Sequence, residues 1–361
     1  EEAFSLYEKG FILSPTIIDT VTIYHSAVTN LGKFERAEPI FRDASVLHPN
    51  NRRLKFLLID ILVQQGKHDL AMEEIEGAMI AFGIDDGILS AALQVRKTLG
   101  SKEIEKSSKK NDTISLCMIV KNEEQHLGKC LMSVKPVVDE IIVVDTGSTD
   151  RTMDIARAFG ARAYDFKWTN DFSEARNFSI LKASGNWILI LDADEVISSL
   201  DYASLRKITK KPTNIPVAYS IVTRNYTILT NAIGWVSNDG RYLEEQAGTG
   251  WCPSKKERLF SSDSRVRFEN PVHELVEHSL RRSGIKIKEC SIPIHHYGKL
   301  NAGKVASKGE DYYLLGETKL KEKQVDIQSI IELAVQAGEL GRYEDAVELW
   351  QRVIEIKPDS T

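Results

Sequence analysis

Two carboxylates, Asp192 and Asp194, stand one residue apart directly after the apolar run Trp187–Leu191. This run has the length and composition of a fully buried strand. In an open α/β sheet, ligands bind beyond the carboxyl ends of the strands. Alternate carboxylates in that place suit a hard cation such as Mg²⁺ or Mn²⁺, which keeps open positions for phosphate oxygens. An acidic turn that caps the following helix is the alternative interpretation.

Other polar residues also follow predicted strands. From Thr113 the pattern alternates strand and helix, with strands over 114–120, 140–144 and 162–166 before the run that begins at Trp187. This order predicts a mostly parallel, Rossmann-like α/β sheet covered by helices on both faces. We therefore expect the residues after the strands to share one crevice with the two carboxylates. They are Lys121, Asn122 and Glu123 after the first strand, and Asp145, Thr146, Gly147 and Ser148 after the second.

The motifs of common nucleotide-binding folds are missing from this crevice. No Gly-x-Gly-x-x-Gly follows the first strand and no Walker loop occurs, so a dinucleotide fingerprint is excluded. The crevice instead suits a nucleoside diphosphate held by carboxylates and a metal, with Asp145 free to accept hydrogen bonds from a base or a ribose. The helices between the strands are predicted to be capped by Asn122, with Gln125 as its capping-box partner, and by Asp150 and Ser173.

The first third of the chain is predicted to be helical and contains a repeat. Gly32 and Ala37 recur as Gly66 and Ala71, a shift of 34 residues. Glycine permits a tight turn between paired helices, and this period resembles the tetratricopeptide repeat. Stacked repeats form a curved surface for a peptide or a protein. A generic helical packing domain is the alternative. The same signature returns around Gly341.

These patterns predict three domains. Residues 1–110 form an N-terminal tetratricopeptide-like domain, 113–300 an α/β domain, and 301–361 C-terminal tetratricopeptide-like helices. The polar stretch 101–112 is the predicted linker. Amphipathic helices are expected over Lys304–Lys323 and Ile327–Ile356.

Several of these motifs resemble those of a known family. Cys117–Glu124, Ile141–Asp150 and Leu191–Glu195 are similar to motifs of family 2 glycosyltransferases with the GT-A fold. A further set is similar to a branch that joins this domain to helical repeats. It comprises Asp171–Asn177, Arg258–Phe260 and Pro271–Glu274. The branch includes SunS-like transferases, which glycosylate cysteine or serine of bacteriocin peptides, and lipopolysaccharide-core transferases without repeats.

The resemblance implies a GT-A catalytic domain flanked by all-α helical repeats. It also implies inverting transfer from a nucleoside-diphosphate sugar, with Mn²⁺ or Mg²⁺ on the diphosphate. A UDP-sugar is the first candidate for this donor. Asp145 would then contact the nucleotide base, while Asp192 and Asp194 would hold the metal and the sugar. The full expected donor-binding set is Lys121, Asn122, Glu123, Asp145, Arg176, Asn177 and Asp192, and the expected metal set is Asp192, Asp194, His273 and His296.

Inverting transfer needs a base for the acceptor and a cation for the departing diphosphate. We expect Glu274 to be the base and Arg258 to neutralise the diphosphate, although a surface arginine would need no such role. The long polar stretch Thr227–Lys256 is predicted to be a mobile acceptor loop, or else a surface insertion. Three acidic residues in it are rival bases: Asp239, Glu244 and Glu245.

Composition excludes several other classes. With 47 basic and 52 acidic residues, the net charge of −5 gives no sign of nucleic-acid binding. The four cysteines are scattered, which argues against a zinc site and a disulfide framework and favours a cytoplasmic protein. No apolar run approaches the ~20 residues of a membrane span, and no signal peptide is visible.

The acceptor is expected to be a protein or peptide engaged by the helical repeats, and a homo-oligomer is left open. A lipid-linked or polysaccharide acceptor, with the helices as a scaffold, is the second hypothesis. A non-catalytic repeat adaptor is the third, which the intact Asp192 and Asp194 argue against. A phosphatase with an Asp-x-Asp nucleophile ranks last, because that motif would follow the first strand instead of the fourth.

Overall fold

The computed structural model describes residues 1–104, 112–210, 215–232, 234–272, 274–300, 310, 313–317, 320 and 327–356. By its internal contacts the chain divides into two compact units. The first comprises Glu1–Lys102 with Met153–Ala161, and the second Glu103–Thr152 with Arg162–Thr361.

Six helices build residues 1–104, and successive helices pack against each other. Aromatic rings fill the core between the first three of them: the ring centroids of Phe11 and Phe41 lie 4.4 Å apart, and those of Tyr24 and Phe41 lie 5.7 Å apart. The helices are α1 (Glu2–Leu13), α2 (Ile18–Leu31), α3 (Phe34–Leu47), α4 (Arg52–Gln64), α5 (His68–Phe82) and α6 (Asp86–Leu99).

The glycines of the predicted repeat all lie in the turns between paired helices. Gly32 separates α2 from α3 with a φ of 62°, and Gly66 separates α4 from α5 with a φ of 70°. These left-handed values favour glycine, which has no Cβ to clash with the backbone. Ala37 and Ala71, one turn into the second helix of each pair, are fully buried. The predicted helical pairs are therefore present in this region.

The second unit contains a mixed sheet whose first four strands are parallel. They lie in the spatial order β3, β2, β1, β4, as expected from right-handed β-α-β connections. Their bounds are β1 (Ile114–Val120), β2 (Glu140–Asp145), β3 (Arg162–Asp165) and β4 (Trp187–Ile190). In chain order, α7 (Leu127–Val134) follows β1, α8 (Thr152–Ala158) follows β2 and α9 (Phe172–Lys182) follows β3; all of α8 except Thr152 belongs to the first unit.

The later strands extend this sheet beyond β4 in the order β8, β6, β9, β5. Strand β8 is antiparallel to both β4 and β6, and β6 is parallel to β9. Strands β4, β6 and β9 therefore run in one direction, and their carboxyl ends share one edge. The elements are β5 (Glu195–Val196), α10 (Tyr202–Thr209), β6 (Val217–Thr227), β7 (Val236–Ser237), β8 (Gly250–Ser261), α11 (Glu277–Arg282) and β9 (Lys286–His296).

The predicted fold class is confirmed, with helices before an α/β sheet, but several local predictions were wrong. Asn122 does not cap a helix, because α7 begins only at Leu127 and the Asn122 Oδ1 accepts from the Thr149 backbone N–H at 2.8 Å. Asp171, not Ser173, caps α9 by accepting from the Glu174 N–H. Asp150 does accept from the backbone N–H of Thr152, the first residue of α8.

Other differences concern the later segments. The last part of the predicted loop Thr227–Lys256 is strand, because β8 begins at Gly250 and pairs with β6 along its whole length. The segment Ile327–Ile356, in contrast, is helical as predicted: it contains α12 (Ile327–Glu339) and α13 (Tyr343–Ile356), and the repeat signature around Gly341 lies at the turn between them. The prediction over Lys304–Lys323 falls largely outside the described residues. Among the helices of the described ranges, none combines the length and apolar character that a membrane span requires.

Candidate active site

The carboxylate of Asp192 lies between two buried arginines. Its Oδ1 accepts from Nη2 of Arg176 on α9 at 2.6 Å, and its Oδ2 accepts from Nη2 of Arg258 on β8 at 3.2 Å. The side chains of Arg176 and Arg258 are each 7% exposed, whereas the Asp192 side chain is 37% exposed. Burial would raise the pKa of Asp192, but the charges of Arg176 and Arg258 outweigh it and hold this pKa well below the ordinary value.

Arg176 also contacts Glu274, the residue expected to be the base. Its Nε donates to the Glu274 Oε1 at 3.0 Å, so one guanidinium joins Asp192 to Glu274. The Nη1 atom of Arg176 and the Nε atom of Arg258 are buried and have no hydrogen-bond partner among the described residues. A buried N–H group without a partner costs free energy unless a ligand accepts from it. The two arginines therefore retain donors for an anionic ligand.

Glu195 completes the arrangement and was not in the predicted set. Its Oε1 accepts from Arg258 at 2.9 Å, and its Oε2 accepts from the backbone N–H of Asp192 at 2.8 Å. Burial is the largest influence on this carboxyl and raises its pKa; the charge of Asp192 acts in the same direction, and Arg258 acts against both. Only its position directly after the two aspartates could have pointed to it in the sequence.

Asp194 faces a histidine from the end of β9. Its Oδ1 lies 3.4 Å from Nε2 of His296. The His296 Nδ1 contacts Oδ1 of Asn225 at 2.7 Å, while the Asn225 Nδ2 donates to the Cys252 carbonyl at 2.8 Å. Because the Asn225 oxygen can only accept, Nδ1 of His296 carries a proton and Nε2 is left towards Asp194. Burial lowers the pKa of His296, but the nearby carboxylates, Asp194 first, outweigh this and raise it.

The expected four-residue metal set is only partly assembled. Asp194 and His296 are together, Asp192 is engaged by two arginines, and His273 lies outside the described residues. In the ranges that the structure describes, no three His, Cys, Asp or Glu side chains form a metal-binding group. One carboxylate and one imidazole fit a cation that takes its remaining ligands from substrate phosphates and water.

The predicted donor-binding residues after β1 and β2 hold two loops together. Asp145 is buried and accepts from the Ser148 N–H at 2.9 Å and from the Ser148 hydroxyl at 2.5 Å. The Asn122 N–H donates to the Ser148 Oγ, and the Glu123 N–H donates to the Thr152 Oγ1. The Asp145 carboxylate is thus occupied by its own turn in this structure. Lys121, next to Asn122, is exposed at the same edge.

Asn177 has a structural role. Its amide donates to the Phe268 carbonyl at 3.0 Å and accepts from the Phe268 N–H at 2.8 Å. This reciprocal pair fastens α9 to the segment that carries Glu274. Because both ends of the amide are used, Asn177 is not among the donor contacts that we propose.

The three rival bases differ in their partners. The Glu245 Oε1 accepts from Arg224 at 2.6 Å, and Asp239 lies 3.6 Å from the same guanidinium. The Glu244 Oε2 is buried without a hydrogen-bond partner among the described residues. Glu244 is therefore the one rival whose carboxylate is not already paired with Arg224.

Comparison with known sequences identifies the sheet region. The family model described as Glycosyl transferase family 2 matches residues 115–253. This part of the chain is therefore similar to family 2 glycosyltransferases. The matched range contains Asp192 and Asp194, while Arg258, Glu274 and His296 lie beyond it. The resemblance stated from the motifs is confirmed.

Two curated proteins are similar to about half of the chain. A TPR repeat-containing protein of Synechococcus elongatus is 38% identical over 192 residues, which cover 51% of this chain and 42% of that protein. The SPbeta prophage-derived glycosyltransferase SunS of Bacillus subtilis is 34% identical over 173 residues, which cover 45% of this chain and 34% of that protein. The chain spans less than half the length of these relatives. A weaker likeness, with a TM-score of 0.40 and 12% identity, links 67% of the chain to 81% of S. aureus TarS 1-349 in complex with UDP-GlcNAc.

Proposed function

We propose that this protein transfers a sugar from a nucleoside diphosphate, UDP in the first place, to an acceptor nucleophile. The observation that carries the proposal is the pair of buried arginines on Asp192, at the carboxyl edge of a family 2 glycosyltransferase domain. Each arginine retains one buried N–H group without a partner in the described part of the chain. Guanidinium groups suit phosphate oxygens because of their planar, multiple donors.

We propose that Asp194 and His296 hold Mn²⁺ or Mg²⁺ when the donor is bound. Their contact across 3.4 Å supplies an oxygen and a nitrogen ligand. The hydrogen bond of the His296 Nδ1 to Asn225 sets the orientation of the ring, as is usual for histidines that bind metals. The cation would add positive charge at the leaving diphosphate.

We assign the role of general base, which takes the proton of the acceptor, to Glu274. In inverting transfer the acceptor oxygen or sulfur forms the new bond to the anomeric carbon while the bond to the diphosphate breaks. Glu274 takes the acceptor proton as that bond forms. Arg176 fixes the position of Glu274 relative to Asp192 by donating hydrogen bonds to both carboxylates. Arg258 would stabilise the negative charge that develops on the leaving group.

We propose a protein or peptide side chain as the acceptor, bound by the helical repeats. Stacked helical repeats form concave surfaces that bind polypeptides. Residues 1–104 contain helix pairs of this kind, joined by glycine turns. The resemblance to SunS-like transferases, which glycosylate bacteriocin peptides, implies the same class of acceptor. We also place the protein in a reducing compartment, the cytoplasm, because its four cysteines, Cys117, Cys130, Cys252 and Cys290, are free.

A thermal-shift panel tests the donor class. The protein is heated with UDP, GDP, dTDP or CMP, each with Mn²⁺, Mg²⁺ or a chelator. A ligand at about 100 times its dissociation constant stabilises a protein by about 2.7 kcal/mol, which is visible as a shift of the melting temperature. We expect a metal-dependent shift with UDP that is lost in Asp194→Ala and kept in Asp154→Ala, which removes an exposed carboxylate on α8. Absence of a shift with every nucleotide would contradict the proposal and favour a repeat adaptor.

A further inference from the structure

Glu244 lies in a stretch of chain that is fixed at the carboxyl edge of the sheet. Two residues before it, the ring of Tyr242 packs on that of His295, with centroids 4.7 Å apart. The next residue, Glu245, accepts from Arg224 of β6 at 2.6 Å. Tyr242 and Glu245 are each 4% exposed. The backbone on both sides of Glu244 is therefore held beside the ends of β6 and β9.

Tyr297 lies at the same edge of the sheet. Its ring stacks on that of Tyr226 with centroids 5.8 Å apart, and its backbone N–H donates to the Asp194 carbonyl at 3.1 Å. The Tyr297 hydroxyl and the Glu244 Oε2 atom are both buried, and neither has a hydrogen-bond partner among the described residues. Burial raises the pKa of Tyr297, and the charge of Glu244 adds to this effect. Two polar atoms that can bind a ligand thus lie next to Asp194.

Lys129 of α7 brings a positive charge to the same place. Its Nζ atom lies 4.0 Å from the centroid of the Tyr297 ring. Burial lowers the pKa of this ammonium group, and the charge of Glu244 acts against that effect. The Glu244 Oε2 atom nevertheless accepts no hydrogen bond from Lys129. We call Lys129, Glu244 and Tyr297 the Glu244 cluster.

The mixed chemistry of the Glu244 cluster selects the kind of ligand. A carboxylate only accepts hydrogen bonds, an ammonium group only donates them, and a phenol does both. A phosphate would be repelled by Glu244, and a lysine or arginine side chain of an acceptor would be repelled by Lys129. Sugar hydroxyls are uncharged, and each of them can donate and accept. Neighbouring hydroxyls of a sugar therefore suit all three side chains.

The position of the Glu244 cluster indicates which sugar this is. Tyr297 directly follows His296, and its N–H group is bonded to the main chain of Asp194. Asp194 and His296 are the two residues that we propose for the cation on the diphosphate. Because the transferred sugar is bonded to this diphosphate, it is the sugar that lies next to the pair.

We propose that the Glu244 cluster binds the hydroxyl groups of the sugar that the donor carries. Glu244 accepts from one hydroxyl, Lys129 donates to a neighbouring one, and the Tyr297 hydroxyl completes the contact. These residues determine which donor sugar is used and take no part in bond making. The inference rests on the proposed function, but it concerns the sugar and not the nucleotide.

Titration calorimetry in the presence of Mn²⁺ separates these two parts of the donor. The ligands are UDP alone, UDP-glucose, UDP-galactose and UDP-N-acetylglucosamine, and we expect at least one of the three UDP-sugars to bind. For that ligand, Glu244→Gln and Lys129→Met should each raise Kd roughly tenfold, since each variant loses a hydrogen bond to a charged group. Neither variant should change the Kd of UDP.

Two control variants change nearby or similar side chains outside the cluster. Leu243→Ala truncates a leucine that is 79% exposed and directly precedes Glu244. Lys207→Met removes an exposed ammonium group of α10. Both controls should bind the UDP-sugar with the Kd of the unchanged chain. Far-UV circular dichroism and the melting temperature establish that the variants still fold.

Deoxy forms of the same UDP-sugar test whether Glu244 contacts a hydroxyl directly. Removal of that hydroxyl should weaken binding to the unchanged chain roughly tenfold and have little further effect on Glu244→Gln, because the two changes remove the same hydrogen bond. The full loss in both proteins at every hydroxyl position would contradict the contact.

The outcomes distinguish this inference from the proposed function. If UDP itself does not bind, the proposed function fails and the inference fails with it. If UDP binds but none of the three UDP-sugars does, only the inference is overturned. The same holds if Glu244→Gln or Lys129→Met leaves the Kd of the UDP-sugar unchanged, or if either variant weakens UDP as much as the UDP-sugar.

Discussion

The Nη2 atom of Arg176 lies 2.6 Å from Oδ1 of Asp192, within a site where Arg176 is 7% exposed. The two residues come from α9 and from the loop after β4, and Glu274 contacts the same guanidinium from a third segment. A buried charge is tolerated when it is paired and hydrogen-bonded. Arg176 therefore has a structural role besides the one that we propose for it in donor binding.

Replacement of Arg176 by methionine should destabilise the second unit. Removal of one partner leaves the carboxylates of Asp192 and Glu274 without their shared cation, which typically costs roughly 3 kcal/mol. Urea unfolding followed by tryptophan fluorescence measures the change. The control is Arg281→Met, which breaks an exposed pair with Glu277 and should change little. Recovery of stability when Asp192→Asn is added would support the pairing, and an unchanged midpoint in Arg176→Met would contradict it.

Gly298→Ala should impair the proposed metal site without removal of a ligand. A Cβ at this position would lie 2.5 Å from Nε2 of His296 and 2.6 Å from Oδ2 of Asp194, so the pair would have to move apart. We expect the metal-dependent part of the UDP thermal shift to disappear. Gly338→Ala, at a helical position of α12 with no atom within 4 Å of the added Cβ, should retain it. If the shift in Gly298→Ala were as large as in the unchanged chain, the pair of Asp194 and His296 would not be the metal site.

Glu274→Gln should abolish transfer and keep donor binding. Glutamine can still accept from Arg176 through its carbonyl oxygen, but it cannot take a proton from the acceptor. General bases contribute about 10²–10⁴-fold, so release of UDP in the presence of acceptor should fall by that order. The thermal shift with donor should persist. Glu277→Gln, three residues away on α11, is the control, and wild-type turnover in Glu274→Gln would return the role to Glu244.

Two glycines of the first unit should respond to alanine with opposite signs. Gly66 has a φ of 70°, and Gly77 lies inside α5; neither has an atom within 4 Å of an added Cβ. Gly66→Ala forces a left-handed conformation on a residue with a Cβ and should cost about 1 kcal/mol or more. Gly77→Ala should stabilise by about 0.5–1 kcal/mol. Chemical denaturation measures both, and equal effects would contradict the backbone explanation.

The first unit should lose stability in acid through Glu8. The hydrogen bond from Arg36 is the largest influence on this carboxyl and lowers its pKa below the ordinary 4.5, against the effect of burial. A carboxyl whose folded pKa is depressed stabilises the fold above its unfolded pKa, and this contribution is lost as the pH falls through the folded pKa. Glu8→Gln should therefore have a lower melting temperature than the unchanged chain at pH 7. The difference between the two melting temperatures should become smaller below pH 4.5. Glu35→Gln, an exposed position of α3, should do neither.

The strands and turns that depend on local pattern were predictable. Apolar runs placed β1, β2 and β4, and the 34-residue period placed Gly32 and Gly66 in their turns. The position of Asp192 directly after β4 followed from the same reading. Helix starts were less predictable, because Asn122 and Ser173 are acceptable caps by residue type but make hydrogen bonds to other loops instead.

The sequence by itself determined the parallel half of the sheet, the helix pairs and the similarity to family 2 glycosyltransferases, since these depend on periodicity, glycine positions and short motifs. Only the tertiary structure decided what each carboxylate contacts. Asp192 is paired with two arginines, and Asp145 accepts hydrogen bonds within its own turn. Asp194 lies next to His296. Residues far apart in the chain meet through the packing of whole strands and helices, and residue type and spacing carry no measure of that distance.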